Sequence, residues 1–245
     1  MVATLAQVAA LGPFFACETH GDGPPAAPWY PMGQLLDDPG VLAARVAATR
    51  EHLARVNGRP VEAVEPRVAA SVTQLGLTAR LLSPAFGLAV LGGAVLPYGL
   101  RDLHWQPEQP GGIVPLSLPG RAPEPVGGPA ELADRVAAEL RDGAVRELVE
   151  LAGAHSLSAR VRWGNVASAV HGAAAAIAWS APHLAPRARQ FTALLLDRTP
   201  LRGTGALTAR GFRRRSCCLI YRAAPDGAGA LCGDCVLAGV RSSGT

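Results

Sequence analysis

The chain has 245 residues, 49% hydrophobic and only 5% aromatic, with a formal net charge of +4. All 23 basic residues are arginine; without a lysine there is no P-loop, and no Gly-rich segment has the strand–GxGxxG–helix setting of a dinucleotide site. The pI near 9.1 would suit nucleic acid, but the arginines are spread along the chain with no nucleic-acid motif, so that partner class is not expected.

In chain order, residues 1–16 are apolar, and no Arg or Lys precedes them, so no signal peptide is expected. Asp37-Asp38-Pro39 reads as a helix start, followed by a helix over Val41–Val56 that ends near Asn57-Gly58. Glu62–Leu82 and Pro84–Leu91 read as two further helices. Leu81–Leu100 and Trp163–Pro182 are each twenty residues without a charge, long enough to span a bilayer. Pro84, Gly87, Gly92, Gly93 and Pro97 are expected to break the first into shorter buried helices. The second is rich in alanine and carries Asn165, Ser168 and His171, which again fits a buried helix. A contact with a membrane surface stays open.

Residues 97–129 change character. Leu103–Gln106 and Ile113–Leu118 read as short strands pairing across Pro107–Gly112, and the prolines at 107, 110, 115 and 119 argue against a central strand. Helical spacing resumes over Pro129–Ala154, with Pro129 in a first-turn position, then over Ser158–Trp179 and Pro186–Leu196. Thr199–Ala209 reads as a link. The fold class expected is mainly α, an α+β fold with a small β-hairpin region, divided into a helical platform over residues 1–205 and a C-terminal lobe over 206–245.

That lobe holds the chemistry. Four of the five cysteines fall in the last 29 residues, as Cys217-Cys218 and then Cys232-Gly233-Asp234-Cys235. Such a cluster can form two disulfides, hold zinc, or hold an iron–sulfur centre. Disulfides belong mostly to small secreted domains. Paired C-x2-C elements suit tetrahedral zinc, but adjacent cysteines tend to diverge around one ion. A wider two-iron cluster accepts them more easily. A Rieske site needs two histidines, and the last histidine, His183, stands 34 residues before Cys217. Spacing alone therefore favours an all-cysteine [2Fe–2S] cluster and leaves zinc open.

The run Arg213-Arg214-Arg215-Ser216-Cys217-Cys218-Leu219-Ile220-Tyr221-Arg222, followed by Leu231-Cys232-Gly233-Asp234-Cys235, resembles the C-terminal signature of the FhuF-type ferric-siderophore reductases. Arg162-Trp163-Gly164-Asn165-Val166-Ala167-Ser168-Ala169 is similar to a second block of that family, and Gly12-Pro13-Phe14-Phe15 through Trp29 is similar more weakly. The resemblance implies a helical siderophore-reductase-like domain with a short iron–sulfur lobe, and a [2Fe–2S] cluster on Cys217, Cys218, Cys232 and Cys235. It implies a ferric siderophore as substrate, a separate electron donor of ferredoxin or flavoprotein type, and a cytoplasmic location, with the inner membrane face as an alternative. A non-enzymatic reading, a zinc- or cluster-stapled helical protein that binds a siderophore or a partner, stands beside it. Thirteen residues separate Cys218 from Cys232, about three more than the family pattern. The extra length falls in Pro225–Ala230, expected to bulge outward without moving the ligands.

Other residues admit two readings each. Arg213, Arg214 and Arg215 either compensate a cluster of net charge about −2 and raise its potential, or dock an acidic donor, or form a solvated basic turn. Trp163, His104-Trp105 and Trp29-Tyr30 either line a substrate groove or belong to the core. Asn165 and His171 read as satisfied core polar groups, His183 as a surface residue, and Cys17 as a small buried hydrophobe.

Overall fold

The computed structural model describes residues 3–21, 23, 25–107, 112–208, 211–227 and 229–239. The expected connection Pro107–Gly112 therefore lies largely outside the described residues, as do Ala209 in the expected link and Ala228 in the cysteine spacer.

Two short helices, α1 (Leu5–Ala9) and α2 (Gln34–Asp37), precede α3 (Pro39–Val56). Asp38 caps α3 by accepting the Gly40 N–H at 2.7 Å, and Pro39 occupies the first turn, where its missing N–H costs nothing. The long helix α4 (Pro66–Gly92) follows. It is apolar on nearly all sides and buried on nearly all sides, as a helix at the centre of a fold must be. α3 packs on one flank of α4 and α7 (Ala159–Ser180) packs on another, the α4–α7 pair forming the most extensive helix contact of the chain. Asn165 of α7 fastens the two: its amide donates to Gln74 Oε1 at 2.6 Å and to the Ser71 carbonyl and hydroxyl at 3.1 Å. Asn165 is thus a core polar group as expected, but only its amide N–H2 is satisfied; its Oδ1 is buried without a partner.

The expected break at Pro84 does not occur; α4 runs through it. Proline removes one backbone donor and crowds the preceding turn. Here the Ser83 hydroxyl donates to the Ala79 carbonyl at 2.7 Å and the Tyr98 hydroxyl to the Leu81 carbonyl at 2.6 Å, on either side of the Arg80 carbonyl that Pro84 leaves without its helical donor. Among the described residues α4 is the one helix long and apolar enough to cross a membrane, and 67% of its most apolar window is buried inside the fold.

Beyond α4, the helical stretch from Pro129 divides at Gly143 into α5 (Pro129–Asp142) and α6 (Ala144–Leu151). A β-carbon at Gly143 would stand 2.9 Å from both the Glu139 and Tyr98 carbonyl oxygens, so the close approach requires glycine. The last helix, α8 (Ala185–Leu196), packs against α7 and α5.

The strands are short. β1 (Glu18–His20), β2 (Tyr30–Pro31), β4 (His104–Trp105) and β5 (Leu116–Pro119) form one sheet in the order β1-β5-β4-β2; β3 (Ala94–Val95) pairs with β6 (Glu124–Pro125). β4 and β5 pair antiparallel, Trp105 opposite Leu116, as the sequence suggests. β5 is nevertheless an interior strand, paired on its other edge with β1. The prolines permit this because Pro119 ends the strand and Pro115 precedes it, where the Pro115 carbonyl accepts the Gln106 N–H at 3.3 Å. A final hairpin, β7 (Gly205–Thr208) with β8 (Gly211–Arg214), occupies part of what reads as a link in the sequence. It contributes Phe212 to the same buried core as the helices. The fold is mainly α with small sheets.

Candidate metal centre

β8 delivers the chain to the cysteines. On a strand, alternate side chains share a face, so Phe212 and Arg214 turn inward while Arg213 points to solvent. The Arg214 N–H donates to the Asp234 carbonyl at 3.0 Å, and the Arg213 guanidinium donates to the Val236 carbonyl at 3.2 Å. These two bonds hold the segment before Cys217-Cys218 against the segment that carries Cys232 and Cys235. On the other side of β8, the Arg215 N–H donates to the Thr204 carbonyl at 2.8 Å.

Adjacent cysteines diverge, and the structure handles this at the next residue. Leu219 has φ 71°, a left-handed conformation uncommon for leucine, and the chain turns sharply there. The Leu219 N–H then points back to Cys217 Sγ at 3.2 Å. The second arm repeats the pattern: the Leu237 N–H reaches Cys235 Sγ at 3.3 Å, and the Cys235 N–H closes a turn on the Cys232 carbonyl at 3.1 Å. Amides aimed at sulfur stabilise thiolate charge and tune a bound metal centre.

The four sulfurs are free thiols, as is Cys17. Cys218 and Cys235 are buried, while Cys217 and Cys232 are half-buried, so the group has an inner and an outer side. Cys218 and Cys232 are hydrogen-bonded to each other. That bond, together with the Ile220 amide and the Arg214 charge, outweighs burial and pulls the Cys218 thiol down to about 6. Cys232, the donor of that bond, is pushed up, first by giving its proton to the pair and then by burial. Burial also raises Cys217. Among the described residues no three His, Cys, Asp or Glu side chains converge closely enough to hold a single ion.

Arg214 tests whether an anionic group belongs here. It is only 2% exposed. Its Nη2 donates to the Val161 carbonyl at 3.3 Å and to the Ser216 hydroxyl at 3.4 Å, while Nε and Nη1 are buried with no partner. A buried guanidinium with two idle donors costs several kcal/mol unless negative charge stands beside it. Burial accordingly lowers the Arg214 pKa, and the neighbours that oppose the shift are Cys218, Cys232, Asp234 and Cys217. Four soft sulfur donors and one captive cation suit a thiolate-ligated cluster of net charge about −2. Cys217, Cys218, Cys232 and Cys235 are the residues that would hold it.

The triple-arginine run thus divides. Arg214 is a buried counter-cation; Arg213 and Arg215 are exposed. The block around Trp163 is the bed on which the lobe rests. A β-carbon on Gly164 would lie 2.9 Å from Arg214 Nη2 and would collide with the Ser216 hydroxyl. In the expected bulge Pro225, Asp226 and Ala230 are exposed, and the part of the spacer before it is anchored. Residues 220–223 form a 3-10 turn with Ala223 buried, and the Gly229 N–H donates to the Tyr221 carbonyl at 3.1 Å. The Arg59 guanidinium donates to the Ala223 and Ala224 carbonyls, both at 2.9 Å, and Arg222 pairs with Glu65 at 2.6 Å. The spacer is pinned to the end of α3 and the start of α4 because these cations reach it, a relationship with no local sequence signal.

The other residues singled out in the sequence lie elsewhere. Trp105 is fully buried beneath Arg45, and Trp163 packs against the core from its edge. Tyr30, 45% exposed, pairs with Trp105 across β2 and β4. His183 is exposed. His171 is half-buried and accepts the Phe212 N–H at 3.3 Å. Cys17 is half-buried, its thiol raised by burial; the nearby Arg80 binds the Phe14, Ala16 and Val114 carbonyls and ties the opening segment to α4.

Residues 214–237 match the family model described as the FhuF 2Fe-2S C-terminal domain. The segment that begins at the buried Arg214 and includes all four clustered cysteines is thus the part of the chain that is similar to a [2Fe–2S]-binding domain of the FhuF type. No curated protein matches the chain.

Proposed function

We propose that the protein reduces ferric siderophores by one-electron transfer in the cytoplasm, releasing Fe(II). The observation that carries this reading is the buried, half-unpartnered Arg214 beside four cysteines, inside the segment that matches the iron–sulfur domain. A siderophore grips Fe(III) with hard oxygen donors and holds Fe(II) far more weakly, so one electron suffices to loosen the metal. The [2Fe–2S] centre supplies reversible one-electron transfer when bound. The chain's own residues do the rest. Cys217, Cys218, Cys232 and Cys235 hold the centre, with Cys217 and Cys232 toward solvent. Arg214 offsets its negative charge and favours the reduced state. Residues 1–205 serve as platform and 206–245 as lobe. The electron comes from a separate ferredoxin-like or flavoprotein donor, for which the exposed Arg213 and Arg215 offer a basic docking face.

The test is anaerobic purification with iron, sulfide and zinc analysis, then mixing of the dithionite-reduced protein with ferric chelates in the presence of an Fe(II) trap. Two irons and two labile sulfides per chain, with Fe(II) released and visible absorbance recovered, is the expected result. One zinc and no iron would overturn it.

A further inference from the structure

α4 is buried on nearly every side, yet at Val72 and Gly76 it reaches the surface. There it forms one wall of a groove of about 1070 Å3 whose other wall is α3. Along a helix, positions three or four residues apart share a face. Val41, Ala44 and Ala48 of α3 therefore look across at Val72, Gly76 and Leu77 of α4. The Thr73 hydroxyl donates to the Thr49 hydroxyl at 2.8 Å, from one wall to the other, so the two helices are tied together along the floor.

Gly76 is the informative residue. Glycine is the least favourable ordinary residue inside a helix, and the chain's own packing does not require it here: a β-carbon at Gly76 would meet nothing within 4 Å. Gly87, the other interior glycine of α4, is different, because a β-carbon there would stand 2.9 Å from the Val8 side chain. A bare helix backbone at Gly76, faced by the exposed Ala44 and Ala48, leaves room for a second backbone to come close.

The rim carries one sign of charge. Arg45, His52 and Arg55 stand along α3, and no Asp or Glu lines the groove among the described residues. Arg45 donates to the Pro107 carbonyl at 2.7 Å and lies over the Trp105 ring, and the Arg55 guanidinium donates to His52 Nδ1 at 3.1 Å. Neither contact supplies a negative charge. Arg80, at the inner end, is held by three backbone carbonyls, which supply none either. From Val41 to Arg55 the α3 wall rises about 21 Å, or about four helical turns. The volume lies above the range of about 300–1,000 Å3 usual for small-molecule sites. A long apolar floor with a cationic rim is the receiving half of helix-in-groove recognition.

We propose that this groove docks an acidic amphipathic helix of a partner protein, about four turns long. Its apolar stripe lies on Ala44, Ala48 and Gly76, and its carboxylates meet Arg45, His52 and Arg55. No residue of the cysteine lobe lines the groove, so the docking site stands apart from the reductase reading.

The probe is a fluorescent peptide of about eighteen residues with leucines at helical i, i+3, i+4 and i+7 spacing and alanine and glutamate elsewhere, compared with the same peptide carrying lysine for glutamate. Anisotropy titration of the iron-loaded protein should show the acidic peptide binding at least about tenfold more tightly than the basic one, and more weakly as salt rises. Arg55→Glu should weaken it about tenfold or more. Gly76→Leu fills the floor and should abolish binding. Gly76→Ala should weaken it while raising Tm by about 2–4 °C, because the glycine serves the partner and not the fold. Iron content and visible spectrum should be unchanged in all three variants; if Gly76→Leu does not fold, Gly76→Ala and Arg55→Glu decide the matter. No binding to the wild type, equal binding of the two peptides, or full binding by Arg55→Glu and the Gly76 variants overturns the proposal. Sedimentation velocity and flotation with phosphatidylglycerol vesicles test the other occupants. A dimer that Gly76→Leu dissociates would make the groove an interface between copies of this chain, and vesicle binding lost in Arg55→Glu would make it a membrane face; either result overturns the proposal.

Discussion

Gly164 of α7 lies directly beneath Ser216, with no room for a β-carbon between the helix and the hydroxyl that precedes the cysteine pair. The contact joins the two sequence blocks: one supplies the bed, the other the thiols. Gly164→Ala must push the Ser216–Arg214 segment off the helix or distort α7. A forced methyl in a close-packed contact costs about 1–3 kcal/mol, against a gain in helix propensity of about 1 kcal/mol from replacing glycine. The expected net result is loss of iron and sulfide per chain with helical circular dichroism retained. Full cluster content and unchanged cluster lability in this variant would show that the bed does not position the lobe.

Arg214 separates from its neighbours in a second prediction. At an effective dielectric of about 20, one added negative charge about 6 Å from a guanidinium is stabilised by about 3 kcal/mol, or about 120 mV for one electron, before relaxation. Arg214→Gln should therefore lower the midpoint potential by about 60–120 mV, with little dependence on salt, because the side chain is buried. Arg213→Gln and Arg215→Gln should shift it slightly at low salt and not at high salt, since screening acts over about 10 Å at 0.1 M. Potentiometric titration followed by EPR at two ionic strengths measures all three. An Arg214 variant with an unchanged potential would remove the counter-cation role.

The sequence carries the chemistry of this lobe and the helix starts at Asp38 and Ser158, because thiol clusters and capping side chains act locally. It also carries, unused, the alternation that distinguishes Arg214 from Arg213: once β8 is a strand, Phe212 and Arg214 must share the inner face. What it does not carry depends on distant partners. α4 continues through Pro84, and beside that turn the Leu81 carbonyl accepts from Tyr98, a residue beyond the end of the helix. β5 is interior because its prolines sit at its ends, which requires the register with β1 and β4. Trp179 has the same local surroundings as any alanine-flanked core tryptophan, and only the packing of α8 and the hairpin leaves it bare.

The spacer gives a third prediction. Deleting Gly227-Ala228-Gly229 restores the shorter family spacing but removes the Gly229–Tyr221 bond, and a turn held at both ends does not shorten freely. Loop-closure entropy changes by less than about 1 kcal/mol over three residues, so any larger effect reports lost contacts. The deletion is expected to lower cluster content. Arg59→Ala, which leaves the Ala223 and Ala224 carbonyls without their donor, should act in the same direction at a cost of about 1–3 kcal/mol. Quantitative iron and sulfide analysis after gel filtration under anaerobic conditions measures both. Retention of the full complement in both variants would mean that the spacer is a passive connection.

Removal of the metal supplies the last prediction. The lobe reaches the common core chiefly through Phe212 and Ala223, whereas α3, α4, α7 and α8 bury one another independently of the cysteines. Stripping iron with a chelator under reducing conditions should therefore leave far-UV circular dichroism nearly intact. Arg214 would then keep only Cys218 and Asp234 as negative neighbours in place of the cluster, so the lobe should loosen: amides of Arg214 and Cys235 should lose hydrogen-exchange protection while those of α4 keep theirs. Cys232→Ser should reproduce this loosening and abolish the wild-type visible spectrum, and Cys17→Ser should do neither, since Cys17 lies beside Arg80 and outside the cysteine cluster. Global unfolding of the stripped protein, with α4 exchanging as fast as the lobe, would show that the centre holds the whole fold rather than its last segment.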